Sequence, residues 1–213
     1  MVIFLPIKQH SQRVPRKNFR DFGGEPLYKV ALLKYKQHSV YVDTDSPELT
    51  REIKKDKRLS HVTVVPRQDS LKGDLVSVTD IIKDFIMRYN IEDTIAQIHV
   101  TSPFLKEETV TKASQYLTEY DSVVACNVYK SRFWRKEKYG YCPVNHNPVK
   151  MEQTQDLPTL YEENSAFYIF QPSVVLKFNS RIGISPYFYP ISSPENLDID
   201  TEEDWEAALK EIK

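Results

Sequence analysis

The sequence predicts an α/β protein built on a doubly wound, mostly parallel sheet. The first observation is an apolar run at residues 2–5, which lacks polar alternation, as expected of a strand buried on both faces of a parallel sheet. The second is that apolar runs alternate with segments of helical spacing, as in repeated βαβ units. The third is the length of 213 residues, which suits one full-sized domain. We expect residues 1–213 to form a single domain with an inserted arm at about 129–158.

The individual elements follow from local patterns. After the first strand, which Pro6 is expected to end, strands are predicted at 39–45, 61–65, 95–100 and 121–128. Apolar residues at helical spacing predict helices at 27–34, 47–55, 75–89, 110–117 and 201–212. Asp45 or Ser46 would cap the second helix, and Thr201 with Asp204 resembles a capping box for the last.

Composition excludes several classes of function. The net charge of −1 provides no basic field for nucleic acid. No apolar run approaches the roughly 20 residues that span a bilayer, and the short N-terminal run does not resemble a signal peptide. Cys126 and Cys142 lack a C-x-x-C partner, so we expect two reduced thiols in a cytoplasmic protein.

The loop after the first strand is rich in cations. They are Lys8, Arg13, Arg16, Lys17 and Arg20, with no acidic residue before Asp21. Ligands of open α/β sheets bind beyond the carboxyl ends of the strands, where this loop would lie. The loop has no glycine before Gly23, so it matches neither a Walker loop nor a dinucleotide fingerprint. It is predicted to bind phosphate mainly through side chains, and the alternative is a solvated basic surface.

Two aspartate pairs are candidate metal ligands. Asp198 and Asp200 alternate along an extended segment just before the last helix, which places both on one side. Two carboxylates at one point suit Mg²⁺, and the alternative is an acidic helix start. Asp43 and Asp45 have the same spacing and form a rival site, although a helix cap is the simpler explanation there.

Several motifs resemble the CMP-sialic acid synthetase (acylneuraminate cytidylyltransferase) family. The opening P-A-R-x-G-S-K-x-x-x-x-K-N of that family matches Pro6, Ser11, Lys17 and Asn18, and D-I-D-T-x-x-D matches residues 198–204 in full. Departures from the pattern include Lys8 in place of arginine, His10 in place of glycine and Gln12 in place of lysine. Arg13 is expected to restore the lost charge.

The resemblance implies roles for individual residues. Lys8, Lys17 and Asp200 would be catalytic, and Asp198 and Asp200 would hold Mg²⁺. CTP would contact Lys8, Ser11, Arg13, Lys17, Asn18, Arg67 and Ser77. The sugar acid would contact His99, Lys150, Gln155 and Asn164, with His99 standing where the family has glutamine. A structural histidine remains the alternative for His99, and a helix cap is the alternative for Asp74 beside the Arg67 segment.

The inserted arm implies a homodimer. Aromatic, basic and proline residues mix there without periodicity over more residues than a plain loop uses. Phe133, Trp134, Tyr139 and Tyr141 are costly to leave in water and common at interfaces. The family uses this region to contact a second subunit, and the alternative is an arm packed on its own monomer.

The resemblance therefore predicts transfer of CMP from CTP to the anomeric hydroxyl of a sialic acid or related nonulosonic acid, with release of pyrophosphate. Residues 155–158 resemble the R-Q-x-L-P that precedes the last core strand in the family, and 164–169 resemble N-G-A-I-Y-I with serine for glycine. These two resemblances favour nine-carbon acids over octulosonate. The alternatives are activation of another keto-sugar acid, a sugar-nucleotide glycosyltransferase, and a non-catalytic nucleotide-binding protein.

Overall fold

The computed structural model describes residues 1–11, 13–150 and 152–212. Seven of the described strands form the central sheet, and two form a separate hairpin. The strands are β1 (Val2–Ile7), β2 (Ser39–Thr44), β3 (Val62–Pro66), β4 (Ile95–Ile98), β5 (Ser122–Tyr129), β6 (Trp134–Glu137), β7 (Gly140–Pro143), β8 (Leu160–Phe170) and β9 (Pro186–Pro190). The helices are α1 (Leu27–Leu33), α2 (Pro47–Lys55), α3 (Val78–Tyr89), α4 (Glu107–Ser114), α5 (Pro172–Phe178) and α6 (Glu202–Glu211).

The central sheet has the strand order β3-β2-β1-β4-β8-β5-β9. Strand β1 pairs in parallel with β2 and β4, and β2 pairs in parallel with β3. Strand β8 is antiparallel to both of its neighbours, and β9 is parallel to β5. The mostly parallel doubly wound sheet is confirmed, and the carboxyl ends of β1 to β4 meet at one edge.

Both faces of the sheet are buried, as predicted from the first strand, whose apolar residues do not alternate with polar ones. Ile3 and Leu5 of β1 belong to a core with Leu27 and Trp205 on one face. Phe4 belongs to a second core on the other face, where its ring stacks on Phe85 of α3 at 4.5 Å. Helices therefore cover both sides of the strands whose ends form the site.

Several element boundaries differ from the predicted ones. Strand β1 continues through Pro6 to Ile7, because β4 pairs only as far as Phe4 and the missing N–H of Pro6 breaks no bond to that strand. Helix α3 begins at Val78, capped by the Ser77 hydroxyl that accepts from Thr79 N at 3.1 Å. The prediction of a helix from Leu75, which is fully exposed, is therefore wrong.

Two helix starts agree with their sequence signals. Ser46, the residue before α2, accepts a hydrogen bond from Leu49 N at 3.1 Å. Thr201 and Asp204 form a reciprocal capping box at the start of α6, which fixes the chain just after Asp200.

Four elements, β6, β7, α5 and β9, appear where no element was predicted. The arm contains the antiparallel hairpin of β6 and β7, although its sequence shows no strand periodicity. Helix α5 and strand β9 follow β8, so β8 is not the last strand of the core sheet.

Both cysteines are free thiols, and no helix in the described part of the chain is long and apolar enough to cross a membrane.

Candidate active site

The cationic loop after β1 is folded back onto the segment before α6. Lys17 Nζ donates to the carbonyl oxygen of Ile199 at 2.6 Å and lies 3.4 Å from Oδ1 of Asp200. Its side chain is only 11% exposed. Asn18 closes the loop, since its Nδ2 donates to the carbonyl oxygen of Lys8 at 3.0 Å. The two ends of the chain are thereby joined at one site.

Asp200 lies between two cations. Arg13 Nη2 is 2.8 Å from the same Oδ1 that Lys17 approaches. The other arginines of the loop have different partners: Arg16 pairs with Glu48 at 2.7 Å, and Arg20 pairs with Glu202 at 2.6 Å. Only Arg13 and Lys17 of these cations contact Asp200, and Arg16 and Arg20 are paired with glutamates elsewhere.

Two adjoining cavities lie beside this loop. One, of about 280 Å³, is lined by Pro6, Ile7, Lys8, Asn18, Arg67, Val76, Val78, Ile81, His99, Val100 and Thr101. The other, of about 320 Å³, is lined by Lys8, His10, Ser11, Arg13, Lys17, Asn18, Asp74 and Thr101. Lys8, Asn18 and Thr101 border both. The walls of the first cavity are mainly apolar, and the second cavity is polar and lined by cations suited to phosphates.

Asp198 carries a buried carboxylate oxygen without a protein partner. Its Oδ1 makes no hydrogen bond to any described residue. Burial raises the pKa of Asp198, and a hydrogen bond from Thr101 opposes that rise. An orphaned buried oxygen next to the second carboxylate of Asp200 fits a hard cation that takes one or two protein carboxylates and completes its shell with phosphate oxygens and water. The described residues hold no cluster of three or more metal-binding side chains, which Mg²⁺ does not require.

The rival pair is held by protein donors, and Oδ2 of Asp43 is buried without a hydrogen-bond partner among the described residues. Asp43 is fully buried and pairs with the equally buried Arg67, whose Nε donates to Oδ1 at 2.5 Å. Asp45 accepts from the backbone N of Gln9 at 2.8 Å, which fixes the start of the cationic loop. Asp45 is not the cap of α2 either, because Ser46 fills that role.

The nucleotide-binding candidates are placed differently from one another. Arg67 lies in the cavity wall and its Nη1 has no hydrogen-bond partner among the described residues, so one donor is left for a ligand. Ser77 is exposed and caps α3, while its neighbours Val76 and Val78 line the cavity. Asp74 does not cap α3. It lies 3.5 Å from Lys8 across the second cavity. Gln12 lies outside the described residues.

A cluster of polar side chains from β4, β8 and nearby segments lies next to the first cavity. His99, in the cavity wall, has its Nε2 2.7 Å from Nε2 of Gln97. Gln97 Oε1 accepts from Nη1 of Arg181 at 2.7 Å. The guanidinium of Arg181 stacks on the ring of Tyr168, 3.7 Å from its centroid, and the Tyr168 hydroxyl donates to Glu163.

The expected sugar-binding residues are only partly brought together. Asn164 Nδ2 donates to Oδ1 of Asn127 at 3.1 Å, and Asn196 Nδ2 donates to the same oxygen at 2.9 Å. These amides connect β8 to the segment that carries Asp198. Lys150 and Gln155 are exposed in the arm and line neither of the two cavities.

Sequence reasoning missed Gln97 and Arg181. A glutamine within the apolar run of β4 was the only signal for the first. Arg181 lies in a segment without periodicity and is 84 positions away from Gln97, so no local pattern reveals their contact.

Comparison with known proteins identifies the family. The family model described as Cytidylyltransferase matches residues 2–213. The chain belongs to the cytidylyltransferase family. It is 27% identical to the N-acylneuraminate cytidylyltransferase of Streptococcus agalactiae serotype V over 96% of this chain and 51% of that relative. It is also 27% identical to the CMP-N,N'-diacetyllegionaminic acid synthase of Legionella pneumophila, over 94% of this chain and 91% of that relative.

The chain spans about half the length of the streptococcal relatives that it matches. Among solved structures, CMP:2-keto-3-deoxy-manno-octonic acid synthetase complexed with CTP is similar, with a TM-score of 0.70 and 15% identity over 99% of this chain and 97% of the other. At that identity the likeness shows a common fold. It agrees with the doubly wound sheet described above.

Proposed function

We propose that this cytidylyltransferase transfers CMP from CTP to the anomeric hydroxyl of a sialic acid or related nonulosonic acid. The observation that carries the proposal is the pair of Asp198 and Asp200, of which Asp198 has a bare buried oxygen and Asp200 is held by Arg13 and Lys17, two cations that line the polar cavity. Family membership and the names of the relatives support the same reaction. The hydroxyl oxygen would bond to the α-phosphorus, the bond from that phosphorus to the bridging oxygen would break to release pyrophosphate, and the hydroxyl proton would pass to water.

The cations of the loop would balance the triphosphate. Lys8 borders both cavities, and Lys17 and Ser11 border the polar one, so phosphates in that cavity would meet their side chains. Such reactions depend mainly on positioning and on neutralising charge that develops in the transition state. Lys17 is held in place by the Ile199 carbonyl, so its ammonium is already oriented before the substrate arrives.

Asp198 and Asp200 would hold Mg²⁺. When bound, the ion would supply charge for the phosphates and acidify the attacking hydroxyl. Arg13 and Lys17 now neutralise Asp200, and Arg13 is exposed enough to move. We therefore expect Arg13 to leave Asp200 for the β- or γ-phosphate when CTP and the cation bind.

Pyrophosphate release tests the reaction. Purified protein is incubated with CTP, Mg²⁺ and, in separate assays, N-acetylneuraminate, legionaminic acid, pseudaminic acid and octulosonate. We expect release with at least one nine-carbon acid and a slower rate with octulosonate. Release with octulosonate alone would reassign the substrate class, and release with none would leave a nucleotide-binding protein without this activity.

The arm would pair with a second copy of the chain. Its aromatic side chains lie largely in solvent, with Trp134 50%, Tyr139 89% and Tyr141 67% exposed. The hairpin presents these residues away from the two hydrophobic cores, and burying them against a partner is favourable. In such a dimer, Lys150 and Gln155 of one chain would reach the sugar-acid site of the other chain.

Sedimentation at micromolar concentration tests this assembly. We expect about twice the 24.9 kDa mass of one chain. Replacement of Tyr141 by glutamate should shift the distribution toward monomer, and the exposed Leu75→Glu serves as a control outside the arm. A wild-type protein that is active as a monomer would contradict the proposal that the arm of one chain contributes to the site of another.

A further inference from the structure

Three polar side chains form a connected row beside the cavity. Arg181, between α5 and β9, donates from Nη1 to Oε1 of Gln97 at 2.7 Å. Gln97 is fully buried on β4, and its Nε2 lies 2.7 Å from Nε2 of His99. His99 forms part of the cavity wall. The hydrogen bond between Arg181 and Gln97 is therefore connected to His99, in the cavity wall, through the buried amide of Gln97.

The donors and acceptors of this row admit one arrangement. A guanidinium has donors only, so Gln97 must present its carbonyl oxygen to Arg181 and its NH₂ group to His99. The amide nitrogen can only donate, so Nε2 of His99 must accept and carry no proton. A neutral imidazole then carries its proton on Nδ1.

The Nδ1 atom is available to a ligand. It has no hydrogen-bond partner in the described part of the chain, and it is not among the buried unpaired polar atoms found there. Because His99 lines the cavity, an Nδ1–H group can donate into it. His99 would then supply a side-chain N–H donor at the place where the family has a glutamine.

The surroundings keep His99 neutral. Burial lowers its pKa to about 4, with the charge of Arg181 as the next cause. Lys17 lowers it further and Asp200 raises it, while the ring of Tyr168 lies 6.3 Å away. A neutral ring is what the row of hydrogen bonds requires.

Arg181 is held without an ion pair. No carboxylate of a described residue lies within ion-pair distance of its guanidinium, which is supported by the Tyr168 ring and by Gln97. The nearest acidic influence is Glu163, which accepts from the Tyr168 hydroxyl. The hydrogen bond to Gln97 and the contact with the Tyr168 ring, and not an ion pair, therefore hold the guanidinium of Arg181 in place.

We propose that Arg181, acting through Gln97, is a positioning residue that fixes His99 as an Nδ1–H donor to an oxygen of the sugar-acid substrate. A neutral donor suits hydroxyl and carboxylate oxygens, whereas the triphosphate has Lys8, Arg13 and Lys17 to match its charge. The identity of the substrate rests on the proposed function, but the protonation pattern of His99 does not.

Nitrogen-15 NMR of the imidazole ring tests the arrangement on the ligand-free protein. At pH 7 the wild type should show His99 with a protonated Nδ1 and an unprotonated Nε2. Arg181→Met should release the amide of Gln97 and move His99 toward the Nε2–H form, whereas Arg181→Lys, which retains a donor, should largely preserve the wild-type pattern. Lys177→Met removes a cation from the neighbouring α5 and should change nothing.

Kinetics test the consequence for substrate. Arg181→Met should raise KM for the sugar acid by roughly three- to tenfold, the value of one hydrogen bond, and leave KM for CTP unchanged. An Nε2–H or protonated His99 in the wild type, an unchanged pattern in Arg181→Met, or equal losses for both substrates would overturn the proposal. If no sugar acid is turned over, the proposed function fails, and the NMR result still decides whether Arg181 orients His99.

Discussion

Two pairs of aspartates stand two residues apart in this chain, and the fold uses them in opposite ways. Asp43 is closed in by Arg67, and Asp45 accepts a backbone hydrogen bond from Gln9. Asp198 has a buried carboxylate oxygen without a partner, as Asp43 also does, and Asp200 is held by Arg13 and Lys17, which line the polar cavity. Identical spacing therefore does not identify a metal site. What distinguishes the two pairs is a buried counter-charge: Arg67 neutralises Asp43 inside the fold, whereas no described residue forms an ion pair with Asp198.

The first prediction concerns the pair at the cavity. Asp200→Asn should lower kcat by about a thousandfold or more, because a metal ligand contributes several kcal/mol to the transition state. The midpoint of thermal unfolding should hardly change, since Asp200 is partly exposed and belongs to neither core. Asp45→Asn is the matched control and should keep kcat within a few-fold of wild type. A near-normal rate for Asp200→Asn at saturating Mg²⁺ would remove it from the metal site.

The second prediction concerns the closed pair. Asp43→Asn leaves the buried guanidinium of Arg67 without a counter-charge, which should lower the free energy of unfolding by about 3–5 kcal/mol. Denaturant unfolding measures the loss, and Asp198→Asn should cost much less. Equal stability of the two variants would show that Asp43 is not the structural member of the comparison.

The structure shows how much of the fold could be predicted from the sequence. The strands around β1 were predictable because apolar runs buried on both faces carry a strong local signal, and α6 because its capping box is contiguous. Helix α5 and strand β9 were missed because both are short, with α5 beginning at Pro172 and β9 bounded by Pro186 and Pro190. The arm hairpin was missed because its exposed residues show no alternation.

Side-chain partners across the fold were the least predictable part of the site. The D-x-D spacing nominated both aspartate pairs, but only the pairing of Asp43 with Arg67 distinguishes them. The Lys17 contact to Ile199 joins residues 182 positions apart, and the Arg181 contact to Gln97 joins residues 84 apart. No local periodicity encodes such contacts.

The third prediction tests how loosely Asp200 is held. Arg13→Ala removes an exposed cation that we expect to move to the triphosphate, so CTP should bind roughly ten- to a hundredfold more weakly, as for a charge-assisted contact of about 1.5–3 kcal/mol. Calorimetric titration with CTP measures the change, and Arg16→Ala is the control because Arg16 pairs with Glu48. An unchanged CTP affinity would assign the loop's charge to Lys8 and Lys17.

The fourth and smallest effect uses His99 as a reporter. Asp200 raises the pKa of His99 against the larger effects of burial and Arg181, so Asp200→Asn should lower that pKa and Asp45→Asn should not. NMR titration of the His99 ring measures both. Because the folded pKa of about 4 lies below the ordinary value of 6.5, the unfolded chain binds more protons between these values. The His99 contribution to stability is therefore present above pH 6.5 and is lost as pH falls toward 4.

The most direct test of the central claim is binding of a divalent ion to each aspartate pair. Mn²⁺, titrated into the protein in the presence of CTP, can be followed by electron paramagnetic resonance in wild type, Asp198→Asn and Asp45→Asn. Asp198→Asn should weaken Mn²⁺ binding by at least about tenfold, because it removes the orphaned oxygen, and Asp45→Asn should bind as wild type does. Unchanged binding in Asp198→Asn, or weakened binding in Asp45→Asn alone, would contradict the assignment of the metal to the second pair.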